Sequence, residues 1–176
     1  MTTLKIFSPY SSYPSQIGAT IEEASKSVNS ATKKIKVETW KQIDIPGRFI
    51  VEGIFAKIDN SDILLADLTQ LNFNVIFETG YAIGKSKRVF LVLNASLTPP
   101  KKELSQLGIF DTLGYQEYSN SKELSDHINR VIDISPLSFP DFTIDKTSPI
   151  YILDTLFKTD ASIRIISKTK KARINF

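Results

Sequence analysis

Two short runs of the chain are apolar at every position, and they constrain its fold more than any other feature. The runs are Ile63-Leu64-Leu65-Ala66, between Asp62 and Asp67, and Val89-Phe90-Leu91-Val92-Leu93. Strands covered on both faces have this composition, because neither face can carry polar side chains to water. The two runs therefore predict central strands of a parallel sheet that has helices on both faces.

Further strands and helices alternate along the chain. Leu4–Phe7 is a short apolar run, Ile35–Trp40 alternates with a period of two, and Tyr115–Tyr118 is a weaker strand. Between the strands, apolar residues recur every three or four positions, as on amphipathic helices: Ile17, Ile21, Ala24, Val28; Phe49, Ile50, Ile54, Ile58; Leu124, Ile128, Val131, Ile132. This order predicts an α/β fold: a flavodoxin-like, doubly wound parallel sheet of about five strands.

The C-terminal part of the chain differs in composition from the rest. Residues 1–134 form the predicted α/β domain, and residues 135–149, which contain three prolines and no periodicity, are a predicted linker. Residues 150–176 are a short extension with six basic and two acidic side chains, whereas residues 1–150 are nearly neutral. Its two strand-like runs are too few for a domain, so they either dock on the body or begin a second module.

Composition excludes several classes of protein. With no cysteine and one histidine in 176 residues, disulfides, thiol nucleophiles and most metal sites are excluded, and no metal is predicted. No apolar stretch approaches the ~18 residues that span a bilayer, and the N-terminus lacks the apolar core of a signal peptide. The sequence therefore predicts a cytoplasmic protein without a membrane partner.

Residues 67–85 carry the side chains with the clearest chemical potential. Asp67 ends a predicted strand, and ligands of parallel α/β sheets bind beyond such ends. Glu78 lies in the next helix among apolar neighbours, where a carboxylate is costly without a partner. Asn74 and Tyr81 share its helix face. Gly80 inside this helix suggests a close approach to its backbone. The alternative is that Glu78 is an ordinary solvated residue.

The same stretch resembles a known family. Asp67-Leu68-Thr69 and Asn72-Phe73-Asn74-Val75-Ile76-Phe77-Glu78-Thr79-Gly80-Tyr81-Ala82-Ile83-Gly84-Lys85 are similar to a segment of nucleoside 2-deoxyribosyltransferase-like proteins and bacterial TIR-like predicted nucleotide-binding domains. Trp40, Pro46-Gly47-Arg48 and Ile58–Asp62 match in type and order, and the similarity runs from Leu4 to about Ile134. Phe73 and Thr79 depart from the pattern, which often has proline and leucine there.

The resemblance implies cleavage of an N-glycosidic bond, with Glu78 as nucleophile or as stabiliser of an oxocarbenium-like centre. Asp67 is the predicted second catalytic carboxylate, although it could equally cap a turn or hold ribose hydroxyls. NAD hydrolysis by a TIR-like effector of bacterial defence ranks first, because nicotinamide leaves without protonation. A nucleoside deoxyribosyltransferase or hydrolase and a non-catalytic nucleotide-binding or oligomerisation module are the alternatives. No cofactor is predicted, and NAD enters only as a possible substrate.

Several residues are predicted to bind this substrate. Ser8 and Tyr10 follow the first strand, Trp40 ends the second, and Arg48 could pair with a phosphate. The predicted set is completed by Asn72, Asn74 and Tyr81. Each has an ordinary alternative in a turn, the core or the solvated surface. The predicted partners are a nucleotide or nucleoside and further copies of the chain, whereas nucleic-acid contact through the basic extension is the less favoured interpretation.

Overall fold

A computed structural model describes residues 3–43, 50–97 and 114–131 of the chain. All of these residues belong to one compact unit, Met1–Phe139. Five strands and four helices are described, together with a 3-10 turn at Trp40–Gln42: β1 Leu4–Ser8, α1 Ser15–Ala31, β2 Ile35–Thr39, α2 Ile50–Asp59, β3 Ile63–Asp67, α3 Phe73–Gly84, β4 Arg88–Asn94, β5 Gln116–Tyr118 and α4 Ser121–Arg130.

The five strands form one parallel sheet in the order β2-β1-β3-β4-β5. This is the flavodoxin-like order, and the predicted fold class is confirmed. Because β1 and β3 are neighbours while α1 and β2 lie between them in the chain, the strand order reverses at β1. The loops after β1, β2 and β3 consequently meet at the carboxyl edge of the sheet.

Each face of the sheet has its own apolar core, as alternation along a strand requires. In β3, Ile63 and Leu65 pack with α1 and α4, whereas Leu64 and Ala66 pack with α2 and α3. All five β3 residues are buried, as the run of apolar side chains predicted. The α1 stripe Ile17, Ile21, Ala24 and Val28 is also fully buried, as predicted.

Some predicted details differ from the structure or lie outside the described residues. Strand β2 ends at Thr39, so Trp40 belongs to the following 3-10 turn. Ile50 is predicted on the buried stripe of α2 but is 57% exposed, because it lines a cavity at the carboxyl edge of the sheet. Phe49 and Ile132 of the predicted helical stripes, the linker 135–149 and the extension 150–176 are outside the described residues.

Among the described helices, none combines the length and the apolar character that crossing a bilayer requires.

Candidate functional site

A cavity of about 180 Å³ lies at the carboxyl edge of the sheet, beside β1, β2 and β3. Its walls come from the loop after β1, the turn after β2, the first turns of α2, and the start of α3. The described lining residues are Pro9, Tyr10, Ser12, Trp40, Ile50, Ile54, Asn72, Asn74, Val75 and Glu78. The volume is below the roughly 300 Å³ of a typical small-molecule site, so this pocket suits one part of a nucleotide, such as its sugar.

Glu78 is the acidic residue of the described lining. Its side chain is 7% exposed, and no described residue gives it a hydrogen bond or an ion pair. Burial disfavours the charged form, which raises the pKa of Glu78 to about 7. Glu78 is therefore not the ordinary solvated residue of the alternative interpretation, whereas its catalytic role stays a prediction. At neutral pH this carboxyl group titrates beside a partly apolar cavity.

Two aromatic rings form the wall next to this carboxyl group. Tyr10 is buried, and its ring centroid lies 5.8 Å from that of Trp40 at an interplanar angle of 57°. One oxygen of Glu22 accepts hydrogen bonds from the Tyr10 hydroxyl and from Thr39 Oγ1 at 2.6 Å. This carboxylate therefore fixes the loop after β1 to the end of β2. Burial and the neighbouring Glu22 raise the pKa of Tyr10 above its usual range.

Helix α1 closes the space behind the Tyr10 ring. A Cβ atom on Gly18 would lie 2.9 Å from Tyr10 Cε2, closer than carbon atoms approach without contact strain. Only glycine leaves room for the ring at this position. The Lys41 ammonium, from the 3-10 turn after β2, lies 5.8 Å from the centroid of the same ring and makes a cation–π contact with it. Tyr10 is thus held by its hydroxyl and by its ring together.

Asn72 and Asn74 line the opposite side of the cavity. Asn72 is the N-cap of α3: its Oδ1 accepts from the backbone N–H of Asn74 at 2.9 Å and, at 3.5 Å, from that of Val75. This cap fixes the first turn of α3. Glu78 follows this first turn, so the cap sets where the carboxyl group enters the cavity. The Asn74 side chain is exposed at the rim.

The structure does not bring Asp67 into this cavity. Asp67 is 2% exposed and accepts hydrogen bonds from Tyr118 Oη at 2.6 Å and from the Thr69 backbone N–H at 3.0 Å. Burial is the main cause of a raised pKa at Asp67, and both hydrogen bonds oppose it. The reason for the placement is strand alternation, because Asp67 shares the face of Ile63 and Leu65 and points away from α3.

The other predicted binding residues fall in different places. Ser8 is fully buried, its Oγ has no hydrogen-bond partner in the described part of the chain, and it is not among the described lining residues. The Tyr81 ring stacks on Phe55 at 4.4 Å, and its hydroxyl donates to Asp59, away from the cavity. The close approach expected at Gly80 is not made by any described residue, since no described atom lies within 4 Å of a Cβ built there. Arg48 lies outside the described residues.

Sequence reasoning missed two residues that shape the site, Glu22 and Gly18, and one that holds Asp67 outside it, Tyr118. In the sequence, Glu22 is only a charged residue early in an amphipathic helix, and Gly18 belongs to no motif. Tyr118 lies in a weak strand pattern, and nothing in the sequence links it to Asp67, 51 residues away. Within residues 3–43, 50–97 and 114–131, no three acidic or histidine side chains gather in a way that would hold a metal ion.

Comparison with known proteins places the fold in context. No family model and no curated protein matches the chain. Solved structures do match, among them a conserved protein from Enterococcus faecalis V583 (15% identity, TM-score 0.52, covering 73% of this chain and 99% of that one). Another is the CMP N-glycosidase BcmB of Clostridium botulinum (16%, 0.52, 72% and 98%). A third is the TIR domain of the Toll-related receptor TRR-2 of Hydra magnipapillata (16%, 0.52, 73% and 98%). At these identities the likeness shows a shared fold.

Proposed function

We propose that the protein cleaves the N-glycosidic bond of a nucleotide, with Glu78 as the group that acts on the anomeric carbon. The observation that carries this proposal is the position of Glu78, which is buried and has no partner among the described residues, in a cavity walled by Tyr10 and Trp40. A buried carboxylate without a partner is costly, so a structural role does not explain it. A cationic, oxocarbenium-like sugar in the cavity would be its missing partner.

Fold comparison supports the same reaction class. One of the solved structures that share this fold is a CMP N-glycosidase, and another is a TIR domain. The resemblance of the Asn72–Lys85 segment to deoxyribosyltransferase-like and TIR-like proteins agrees with both. Neither likeness specifies which nucleotide this chain would cleave, and that choice rests on the residues around Glu78.

We rank NAD first among the substrates, with release of nicotinamide. In the described lining, Glu78 is the one carboxylic acid, and Asp67 lies outside the cavity with both oxygens engaged. A neutral base needs a proton to leave, whereas nicotinamide departs neutral from a cationic ring and needs none. In this scheme the C–N bond breaks with its electrons going to nicotinamide, and the Glu78 carboxylate stabilises the positive sugar. Water then adds to the anomeric carbon and loses one proton to the solvent.

Cleavage of a nucleoside or nucleoside monophosphate is the second candidate, favoured by the CMP N-glycosidase fold. Its requirement for an acid makes Asp67 the discriminating residue. If Asp67 is a buried structural group, Asp67→Asn lowers stability and leaves kcat on NAD nearly unchanged. A loss of most of the rate on a nucleoside or CMP, with folding intact, would instead assign Asp67 as the acid.

The test is incubation of the purified protein with NAD, CMP and a set of nucleosides, followed by chromatography for nicotinamide or free base. Glu78→Gln keeps the shape of the cavity but removes the negative charge, so we expect kcat to fall by ~10²-fold or more with a small change in KM. Glu23→Gln, an exposed change on α1, is the matched control. Equal turnover by wild type and Glu78→Gln on the best substrate would refute the role of Glu78, and a wild type without turnover on any of these substrates would leave a non-catalytic binding module.

A part in bacterial defence is implied by the TIR-like resemblance and belongs to this proposal. Such a role would act through NAD depletion, so it requires that the protein cleave NAD.

A further inference from the structure

Helix α3 is apolar on its outer face as well as on the face that packs against the sheet. Val75 and Ala82 are buried, whereas Phe73 and Phe77 are 84% and 62% exposed. The one charged residue of the helix, Glu78, is buried in the cavity. A surface helix of a single globular domain normally carries charged and polar side chains outward, and a helix that is apolar all round is covered on all sides. We therefore expect another protein surface to pack on the outer face of α3.

The exposed residues of this face form a narrow stripe. At 100° per residue, Phe73, Phe77, Gly80 and Gly84 fall within an arc of about 60°, opposite Val75 and Ala82. Gly80 and Gly84 are exposed, and a Cβ built on either would meet no described atom within 4 Å. Glycine inside a helix is unfavourable relative to alanine, and the described chain gives no steric reason for it here. We name these four residues the α3 stripe.

The α3 stripe is complementary in side-chain size to the same stripe of a second α3 that runs in the opposite direction. Its two large residues lie at the N-terminal half, its two smallest at the C-terminal half, and both pairs are equally far from the middle of the helix. In an antiparallel arrangement, Phe73 would face Gly84 of the second helix, and Phe77 would face Gly80. A two-fold axis relates such helices, and an interface of this kind uses the same patch on both copies. The stripe carries no charge, so the two copies would not repel each other there.

We propose that the occupant of this face is a second copy of the chain, packed antiparallel through α3, with the phenylalanine rings of each copy over the glycines of the other. The four rings would supply roughly 600 Å² of buried surface. A biological interface needs about 1,000 Å². Phe55, whose ring lies 5.9 Å from that of Phe77, and exposed Val51 one turn before it extend the patch. The dimer is accordingly a reversible one, governed by protein concentration.

The proposed interface goes beyond the proposed chemistry and is independent of it, so either proposal can be correct if the other is wrong. It borders the cavity, because Asn74, which follows Phe73, lines the rim. A partner copy would cover the exposed side of the first α3 turn and leave Glu78 on the inner side. Dimer formation is thus compatible with an active or an inactive site.

Sedimentation velocity of the full chain over a wide concentration range is the test. We expect a monomer to dimer transition in the wild type, and a dimerisation constant at least ~30-fold weaker in Phe77→Asp, which brings two charges close to the two-fold axis. Tyr13→Asp is the matched control, because Tyr13 is an aromatic residue with 80% exposure outside the stripe. A wild type that stays monomeric at all concentrations, or a Tyr13→Asp variant as weak as Phe77→Asp, would overturn the proposal.

Gly80 provides a second test in which the interface and the monomer respond in opposite directions. In the monomer, Gly80→Leu adds a helix-favouring side chain to open space, so the melting temperature at low protein concentration should rise. In the dimer, the new side chain would occupy the place of Phe77 of the other copy, and association should weaken at least ~10-fold. Tighter or unchanged association in Gly80→Leu would contradict this packing, whether or not the protein has enzymatic activity.

Discussion

Glu78 is a carboxyl group in a place where ionisation is costly, and this cost links the site to the stability of the fold. Its pKa is raised to about 7 from 4.5 by burial, so between these values the folded protein binds a proton that the unfolded chain has released. Stability falls with rising pH wherever the folded state binds more protons. The penalty is therefore absent below about pH 4.5 and complete above about pH 7.

This reasoning predicts the effect of Glu78→Gln on stability. At pH 8 the variant should be more stable than the wild type, by up to about 3 kcal/mol, because glutamine has no charge to desolvate. At pH 4.5 the two proteins should have nearly equal stability. Urea unfolding at both pH values measures the difference, with Glu23→Gln as an exposed control that should show no such pH dependence. A variant equally stable at pH 8 would mean that Glu78 is solvated or paired when ionised.

Single residues differ in how far the sequence could place them. Glu78 was predictable because a lone acid among apolar neighbours on a helix beyond a strand end combines burial with a motif. Asp67 was predicted for the same site from its position at a strand end, but alternation along β3 turns it to the other face, toward Tyr118. The face taken by the last side chain of a strand depends on register, which the apolar run Ile63–Ala66 leaves undefined.

Elements were more predictable than residues. Five strands and the flavodoxin-like order followed from apolar runs and helical stripes, because both periods are imposed by burial on the two faces of a sheet. What the pattern could not give is the packing between elements. Gly18 on α1 is needed only because Tyr10, from the loop after β1, lies against it.

The contact between α1 and Tyr10 yields a prediction for Gly18→Ala. The new methyl group would meet the Tyr10 ring at 2.9 Å, so the ring must move toward the cavity. Trp40 is the one tryptophan of the chain and lies 5.8 Å from Tyr10, so its fluorescence should change in wavelength or intensity. We also expect kcat/KM on the best substrate to fall by ~10-fold. Ser27→Ala on the exposed face of α1 is the control. Unaltered fluorescence and kinetics would show that the wall tolerates the shift.

At the scale of the whole molecule, the cavity depends on elements from the first half of the chain. Its described lining runs from Pro9 to Glu78, whereas the sheet that supports it is completed by β5 and covered by α4, which ends at Arg130. The described sheet, its two cores and the candidate site are thus all contained in residues 1–131. This distribution agrees with the predicted domain at residues 1–134, whose boundaries stay a prediction.

Truncation after Ile134 tests that boundary. The prediction rests on the three prolines of residues 135–149 and on the excess of positive charge that follows them, since a nearly neutral body needs no basic partner to fold. We expect the shortened chain to melt in one cooperative transition within a few degrees of the full chain and to keep its activity. Lowering the salt concentration should strengthen the nonspecific binding of nucleic acid by the full chain but not by the shortened chain, which has lost the basic residues. A shortened chain without a cooperative transition would mean that residues 135–176 belong to the folded core, and the two strand-like runs near Tyr151 and Ile165 would then be part of the same folding unit.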